Sequence, residues 1–599
     1  MIKNIKNMKY IQLGILTIAW LGFSSCERDF LDRPAKDQVE AEFFFNTAKD
    51  LEVATNNFYS ILQTTEVYRD DAASDNIMPL SPNNRIRGNR IVPTAKGSGG
   101  WSWGDLRDIN YFLENYHQVD DEAAKAHYGG VARFFRAYFY FEKVKRFGDV
   151  PWYGKVLAAN DPDLYKPRDS RQLVMDSVMR DIDFAIANIP AEKTLNRISK
   201  YTAILLKARI GLHEGTFRKY HKISGYEPFL EAAVEAAEQL IASRAYTLFT
   251  TGGPTEAYRN LFARDNQDAV ETILAADYER GLRTHNDINQ SMTSPTFGAY
   301  GINKDMINSY LMKDGSRFTD KSNYQTVGYL EEFQNRDPRM AQTTAPPDFT
   351  VIGETRPEPV TLAGTTTGYR VIKALLDRDQ WMLAHFDLIL FRYAEALLIL
   401  AEAKAELGTL NQADLDRTIN LLRARVDMPP LNMAAANANP DSYQEAHYLN
   451  GVAGPKVPID AANKGVILEI RRERRIELFN EGHRWDDLMR WRAGKKLEQP
   501  IVGIYFPGVG SYDFTGDGVA DVYVYSGSSA GAPPTVTSMI DIQQRTLRDP
   551  LTGNGSATSG NLDPFPLGGS FDEERDYYYP IPLEDLNLND NLEQNPYWK

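Results

Sequence analysis

Long amphipathic helices separated by long loops are the feature that most restricts how this chain can fold. In 129–147, apolar side chains recur three and four residues apart, at Phe134, Ala137, Tyr138, Phe141 and Val144. That spacing places them on one face of a helix. Gly148 and Pro151 follow, and they predict that the helix ends there.

Helices are also predicted over six further groups of residues: 170–188 with Ser170 as cap, 200–213 after Ser199, 227–243, 387–407, 411–426 and 464–492. Alanine recurs where two helices would have to approach closely, as at Ala394 and Ala401. Paired helices with small residues at their contacts resemble a tetratricopeptide-type array with a degenerate period. The predicted fold class is therefore mostly α, with a helical-repeat scaffold.

The stretches between the helices are much longer than the usual ~2–8 residues of helix connections. They are 64–104, 245–300, 316–380 and 500–580. These stretches carry Trp, Tyr, Asn and Asp, which is typical of an ordered recognition surface on a rigid scaffold. Within the last of them, 522–525 is predicted to form a strand.

Charge and cysteine content exclude several classes of protein. The formal charge is 67 − 81 = −14, which argues against nucleic acid or an anionic lipid surface as the main partner. A single cysteine excludes a disulfide framework and any CxxC zinc or redox site.

That cysteine, Cys26, follows an export signal. Lys3, Lys6 and Lys9 precede an apolar stretch, 10–23, that is too short to cross a bilayer. The layout resembles a bacterial lipoprotein signal, in which residues 1–25 are removed and Cys26 is lipidated, although Phe23 stands where leucine is usual. The alternative is a buried structural cysteine after an ordinary signal.

Motifs of common enzymes are absent from the sequence: it has no HExxH, GxxxxGK[ST] or GxSxG pattern. Four acidic residues could be imagined as an acid/base pair: Glu473, Glu477, Asp486 and Asp487. They lie among six arginines in a predicted helix, so structural ion pairs such as Arg474–Glu477 and Asp486–Arg490 are the favoured interpretation.

One acidic loop has the spacing of a calcium site. Oxygens of Asp513, Thr515, Asp517 and Asp521, with the carbonyl of Val519, occupy positions 1, 3, 5, 9 and 7 of a calcium loop. Position 12 is a valine and a predicted strand follows, so the loop resembles calcium loops that precede strands. A structural Ca²⁺ is predicted; the alternative is an acidic turn that binds no ion.

Several motifs in the expected order resemble the RagB/SusD family of outer-membrane nutrient-uptake lipoproteins. They are 29–32 after Cys26, 136–141 with 147–151, 167–168 with 181–183, 335–339, 390–395, 473–477, 481–488, 579–582 and 594–596. The block at 481–488, Glu-Gly-His-Arg-Trp-Asp-Asp-Leu, is the most specific. The family often has glycine before the final tryptophan, where this chain has Tyr597.

The resemblance implies about four degenerate tetratricopeptide units under a loop-rich, partly β ligand-binding subdomain. It divides the mature chain into 26–245 and 246–599. It also implies a lipid-anchored protein of the Bacteroidetes cell surface that is not an enzyme and needs no cofactor. Such a protein binds an oligosaccharide and passes it to a TonB-dependent, SusC-like transporter in the outer membrane.

The family places ligand contacts in loops that correspond to 65–105 and 275–300. Sugar rings stack on aromatic side chains, and their hydroxyls need planar polar partners. The candidate residues are Tyr68, Asn76, Arg90, Trp101, Tyr278, Asn286, Tyr300 and Trp381. A stacking platform of Trp101 and Tyr300 is predicted, with Tyr278 or Trp381 as alternatives. Equally, Trp101 or Trp381 could anchor its loop to the core.

Two other functions stay open at this point. A peptide or glycoprotein receptor of the same family has no sequence feature that separates it from a glycan receptor. A lipid-anchored glycan hydrolase would need two carboxylates about 5–9.5 Å apart in a cleft, and none stands out beyond the arginine-rich helix.

Overall fold

The computed structural model describes residues 45–449, 459, 462–556 and 558–598. The predicted signal segment 1–25 and Cys26 lie outside the described residues, so lipidation stays a prediction, as do the predicted domain boundaries. Within the described part of the chain, no helix is both long and apolar enough to cross a membrane.

Between residues 45 and 245, the structure describes eight helices. They are α1 (Ala48–Asn56), α2 (Thr65–Asp70), α3 (Asn84–Arg87), α4 (Gly104–Asn115), α5 (Glu122–Phe147), α6 (Arg171–Asn188), α7 (Lys200–His221) and α8 (Glu227–Ala242). The predicted caps are confirmed: Ser170 and Ser199 accept hydrogen bonds from the amides three residues on. Gly148, with φ +73°, ends α5. The helix predicted from 129 begins earlier, because the Asp121 side chain caps it by accepting from the Ala124 amide.

The remaining described helices are shorter on average. They are α9 (Ala257–Phe262), α10 (Ile288–Thr293), α11 (Lys304–Ser309), α12 (Tyr329–Glu332), α13 (Pro338–Thr343), α14 (Tyr393–Glu406), α15 (Gln412–Asp416), α16 (Ile419–Arg425), α17 (Met433–Ala438), α18 (Ser442–Leu449), α19 (Lys464–Glu477), α20 (Arg484–Arg490) and α21 (Leu583–Leu588). The mostly α fold class is confirmed.

The strands form four small sheets. They are β1 (Ile77–Met78), β2 (Thr272–Ala276), β3 (Gly301–Ile302), β4 (Leu388–Arg392), β5 (Tyr505–Phe506), β6 (Gly510–Tyr512), β7 (Val522–Tyr525), β8 (Ser538–Asp541), β9 (Leu547–Arg548), β10 (Gly555–Ser556) and β11 (Gly560–Leu562). β1 pairs with β3 and β2 with β4, both antiparallel. The other sheets run β6-β7-β8, with β7 and β8 parallel, and β10-β9-β11-β5. The strand predicted at 522–525 is confirmed.

The helix predicted over 200–213 continues to His221, and three other predicted helices are divided or partly replaced by a strand. In 387–407, the first residues form β4 instead, because a wholly buried apolar run pairs there with β2. The helix predicted at 464–492 is two helices, since Asn480 (φ +58°) and Gly482 (φ +75°) adopt left-handed backbone between α19 and α20. The helix predicted at 411–426 is likewise split, into α15 and α16.

Helices pack in successive pairs, α5 with α6 and α7 with α8, and α14 then packs between α8 and α19. Glycine permits the closest approach: a Cβ at Gly211 would lie 2.6 Å from the backbone oxygen of Phe229. Side chains of these helices make up one apolar core, here called the helical core. The small strands and the loops around them enclose a second, here called the loop core.

A buried ion network joins these two parts. Glu477, at the end of α19, accepts hydrogen bonds from Arg392 (2.8 Å), Arg425 (2.6 Å) and Arg339 (3.3 Å). Arg392 also bonds Glu271 and Glu481, at 2.8 and 2.6 Å. Burial alone would raise the pKa of Glu477, but the guanidinium groups of Arg425, Arg392 and Arg339 outweigh it and hold that pKa well below its usual range.

The four acidic residues considered for catalysis are all engaged in ion pairs, but not in the pairs predicted. Arg474 binds Asp487 at 2.8 Å rather than Glu477. Asp486 pairs with Lys145 of α5 at 2.6 Å rather than with Arg490. The predicted pairs were wrong because partners on other helices, Asp487 for Arg474 and Lys145 for Asp486, bind these side chains instead.

We expect Glu477→Gln to lower the free energy of unfolding by about 3–5 kcal/mol, because it leaves buried guanidinium groups without a counter-charge. The low pKa of Glu477 also sets a pH dependence. Its stabilisation is present above ~4.3, the pKa of an unperturbed glutamate, and is lost as pH falls toward the folded-state pKa. Stability of the variant should therefore fall less steeply in that acidic window. Urea unfolding over a pH series measures both effects.

The matched control is Glu52→Gln, which removes one partner of the solvent-exposed Lys49–Glu52 pair (2.9 Å). That change should leave the unfolding midpoint nearly unaltered. Equal losses of unfolding free energy in the two variants would show that the network around Glu477 stabilises the fold no more than an exposed ion pair does.

Candidate functional site

The two loops predicted to bind ligand meet in the structure, although more than 200 residues separate them in the sequence. β1 pairs with β3, so that Ile77 faces Ile302 and Met78 faces Gly301. The Leu80 amide donates to the Gly298 carbonyl at 2.8 Å. The ends of both loops are therefore held in one place by backbone hydrogen bonds.

Four of the five predicted aromatic residues belong to or pack against the loop core: Tyr68, Tyr278, Tyr300 and Trp381. Tyr68 is 1% exposed, and its hydroxyl bonds the backbone of Ile389. Tyr300 is 7% exposed. Tyr278 and Trp381 are only partly buried.

Trp101 lies apart from these, in the helical core. Its ring is 2% exposed and packs edge-on against Trp103 and Phe147, with ring centroids 5.3 and 4.8 Å away. In this structure, therefore, Trp101 and Tyr300 do not form one platform, and Trp101 anchors its loop to the helices. A direct contact of either ring with a sugar stays a prediction.

Trp381 has its ring near two cations of its own chain. The guanidinium carbons of Arg370 and Arg378 lie 4.9 and 4.7 Å from the ring centroid. Its indole N–H donates to the Leu376 carbonyl at 3.1 Å. These contacts fix the orientation of the indole within the loop.

The predicted polar residues are buried and hold the loops in place. Their partners are Arg475 and Asp71 for Asn76, Asp576 for Arg90, and the Phe386 carbonyl and Ile288 amide for Asn286. These residues therefore hold the two loops in place, and their direct contact with a ligand stays a prediction.

Solvent reaches a different set of residues on the same loops, here called the loop surface: Arg69, Tyr278, His285, Asp287 and Phe297. Phe297 is 48% exposed. It lies in the turn after α10, and Asp287 caps the other end of that helix and pairs with Arg69. Tyr278 is tied to Thr64 by a 3.5 Å hydrogen bond. Phe297, Arg69 and Asp287 were missed because their exposure depends on the packing of both loops.

The loop surface combines the two kinds of group that sugars need. The ring of Phe297 offers an apolar face, and the half-exposed Arg69–Asp287 pair offers planar donors and acceptors for hydroxyl groups. Burial raises the pKa of the Tyr278 hydroxyl, so this group is neutral at physiological pH and can both donate and accept.

The predicted calcium loop is the turn between β6 and β7. Its carboxylates bond the backbone of the same turn: Asp513 accepts from the Gly516 and Gly518 amides at 2.6 and 2.8 Å, and Asp521 from the Phe514 amide at 2.8 Å. Within the described ranges, no group of three or more His, Cys, Asp or Glu side chains is arranged to hold a metal ion. Calcium binding stays a prediction.

Calcium should raise the Tm of the wild-type protein and not that of Asp517→Asn if the loop takes up the ion. Asp549→Asn, in another capped turn, is the matched control and should keep the shift. Differential scanning fluorimetry with CaCl₂ and MgCl₂ measures the Tm shift. A wild-type Tm that is the same with and without calcium would refute the prediction.

Comparisons with known proteins agree on one family. The sequence profile described as "SusD family" matches residues 262–598. The SusD-like protein P38 of Formosa agariphila is 24% identical over 530 residues, which cover 83% of this chain and 95% of that protein.

Two solved structures from Bacteroides fragilis have a similar fold. A SusD-like protein has a TM-score of 0.68 at 20% identity, over 94% of this chain and 100% of that one. A SusD-like carbohydrate binding protein has a TM-score of 0.66 at 20% identity, over 92% and 100%. At this identity the likeness shows the fold, while the profile spans more than half of the sequence. The chain belongs to the SusD family.

Proposed function

We propose that the protein binds oligosaccharides at the loop surface and passes them to a TonB-dependent transporter of the outer membrane. Membership of the SusD family carries the proposal, and a fold relative described as carbohydrate binding supports it. The exposed Phe297 ring and the Arg69–Asp287 pair, which lie after and before α10, supply the matching chemistry.

The protein acts as a binder and not as an enzyme in this proposal. A glycoside hydrolase needs one carboxylic acid and one carboxylate free to reach the substrate. Glu473, Glu477 and Asp487 are instead buried in ion pairs with arginine, and Asp486 is paired with Lys145. Glu473, Glu477 and Asp487 are therefore shielded from a ligand in solvent, and Lys145 binds the carboxylate of Asp486.

Phe297→Ala should weaken binding of the best oligosaccharide about 2- to 10-fold, because one aromatic stacking contact is worth about 0.5–1.5 kcal/mol. A glycan and peptide array on the soluble protein identifies that ligand, and calorimetry measures its affinity. Leu567→Ala, a change at an exposed apolar residue elsewhere (94% exposed), is the control and should not alter affinity.

Three results would contradict the proposal. If the array retains peptides and no glycans, the protein is a peptide receptor. If a bound glycan is released as shorter products on long incubation, it is a hydrolase. If Phe297→Ala and Arg69→Ala both leave glycan affinity unchanged, the loop surface is not the site.

A lipid on Cys26 would hold the protein at the outer membrane in this proposal. We expect the full-length chain to incorporate labelled palmitate and to be cleaved by protease added to intact cells. Cys26→Ser should abolish the label, because the chain has one cysteine, and should release the protein from the membrane fraction. Labelling that persists in Cys26→Ser would overturn the assignment.

A further inference from the structure

A second concave surface lies beside the helical core. It is bounded by the start of α4, the 151–165 connection and α21 with the residues after it, and has a volume of about 420 Å³. That volume lies within the ~300–1,000 Å³ of typical small-ligand sites. We call it the aromatic cleft and define it by Trp103, Tyr153, Leu164, Tyr165, Asp585 and Leu588.

Two rings of the cleft are held in fixed orientations. Trp103 and Tyr153 meet edge to face, with centroids 5.7 Å apart and planes at 83°. Lys143 lies 5.3 Å from the Trp103 ring and donates to the carbonyls of Gly100 and Ser102, which fixes the tryptophan loop. Because the rings are already ordered, the protein loses little conformational entropy when a ligand stacks on them.

Apolar side chains around the cleft are exposed to solvent. Leu164 is 38% exposed, Tyr165 54% and Leu588 55%. These three come from segments more than 400 residues apart in the sequence, yet they line one cavity. Exposed apolar side chains that are grouped around a cavity often mark a ligand-binding groove.

Polar groups at the same rim have unused hydrogen-bonding capacity. Asp585 accepts from the Gly97 amide through Oδ2 at 2.7 Å, and its Oδ1 has no donor among the described residues. The hydroxyls of Tyr153 and Tyr165 also make no hydrogen bond within the described part of the chain. The cleft therefore pairs aromatic faces with one carboxylate oxygen and two phenols that can bond hydroxyl groups.

We propose that the aromatic cleft is a second carbohydrate-binding site, which takes a short segment of a glycan chain. The pairing of ring faces with hydroxyl-bonding groups carries this inference. The inference rests on the proposed function for one point only, that the ligand is a glycan. It does not require that the loop surface binds the same glycan.

A peptide suits the cleft less well, because the backbone of the walls is already engaged. The Lys96 and Val156 amides donate to Glu584 and Glu114, both at distances below 3 Å. The carbonyls of Tyr153 and Leu157 accept from Asn110 and Arg107. None of the residues that line the cleft lies in a strand, so a peptide finds no sheet edge to extend.

Two sites on one chain change how a polymer binds. A polysaccharide long enough to reach both would be bound more tightly than either segment alone, because the second contact forms at a high effective concentration. A disaccharide gains nothing from the second site. The length dependence of affinity is therefore a signature of the cleft.

The test uses the soluble mature protein and a panel of gluco-, manno-, xylo- and galacto-configured disaccharides, hexasaccharides and their polysaccharides. Hydrogen–deuterium exchange maps where each sugar protects the backbone, and calorimetry gives stoichiometry. We expect hexasaccharides of one configuration to protect 96–107 and 151–165 in addition to 278–300. Tyr165→Ala should remove protection of the cleft segments only and weaken polysaccharide binding about 2- to 10-fold.

Tyr597→Ala is the matched control, since Tyr597 is 62% exposed and does not line the cleft. It should leave exchange and affinity unchanged. Asp585→Asn, which keeps the side-chain shape, should weaken the cleft contact as well. An unaltered Tm of each variant shows that folding is intact.

The outcomes separate this inference from the proposed function. Protection confined to 278–300, with full affinity in Tyr165→Ala, overturns the cleft and leaves the loop surface standing. Protection of the cleft in Phe297→Ala supports the cleft even if the loop surface fails. Protection of the cleft by a peptide panel and by no sugar overturns its assignment to carbohydrate, and no protection at either place overturns both.

Discussion

The buried ion network around Glu477 is the interaction on which the rest of the structure depends. Glu477 belongs to α19 of the scaffold, Arg425 to α16, Arg392 to the end of β4 and Arg339 to α13. Four elements therefore converge on one carboxylate from which solvent is excluded. Removing any one charge would leave the others uncompensated in a medium of low polarity.

That constraint explains how loops of unusual length stay ordered. Arg392 also binds Glu271, directly before β2, and Glu481, directly after α19. Lys373 of the loop region binds Glu481 at 2.5 Å. Directional ion pairs thus join the helical core to the loop core and set how the two are placed. Apolar contacts alone are not directional and would allow one core to shift against the other.

The same network accounts for the carboxylates that resemble catalytic residues in the sequence. An acid that serves in catalysis needs a pKa near the working pH, and arginines on three sides push that of Glu477 in the opposite direction. The two proposed ligand sites, the loop surface and the aromatic cleft, lie elsewhere, where the side chains of Phe297 and Tyr165 are exposed. In these proposals, ligand binding and the buried ion network use separate sets of residues.

By itself, the sequence determined the helices, their caps and the family, because these depend on neighbours a few residues away. Ser170, Ser199 and Gly148 act as predicted since capping is local. Only the tertiary structure decided which aromatic rings meet solvent. Tyr68 is 1% exposed, whereas Phe297 is 48% exposed. It also decided which acids pair with which arginines, because burial and ion pairing depend on residues tens to hundreds of positions away in the chain.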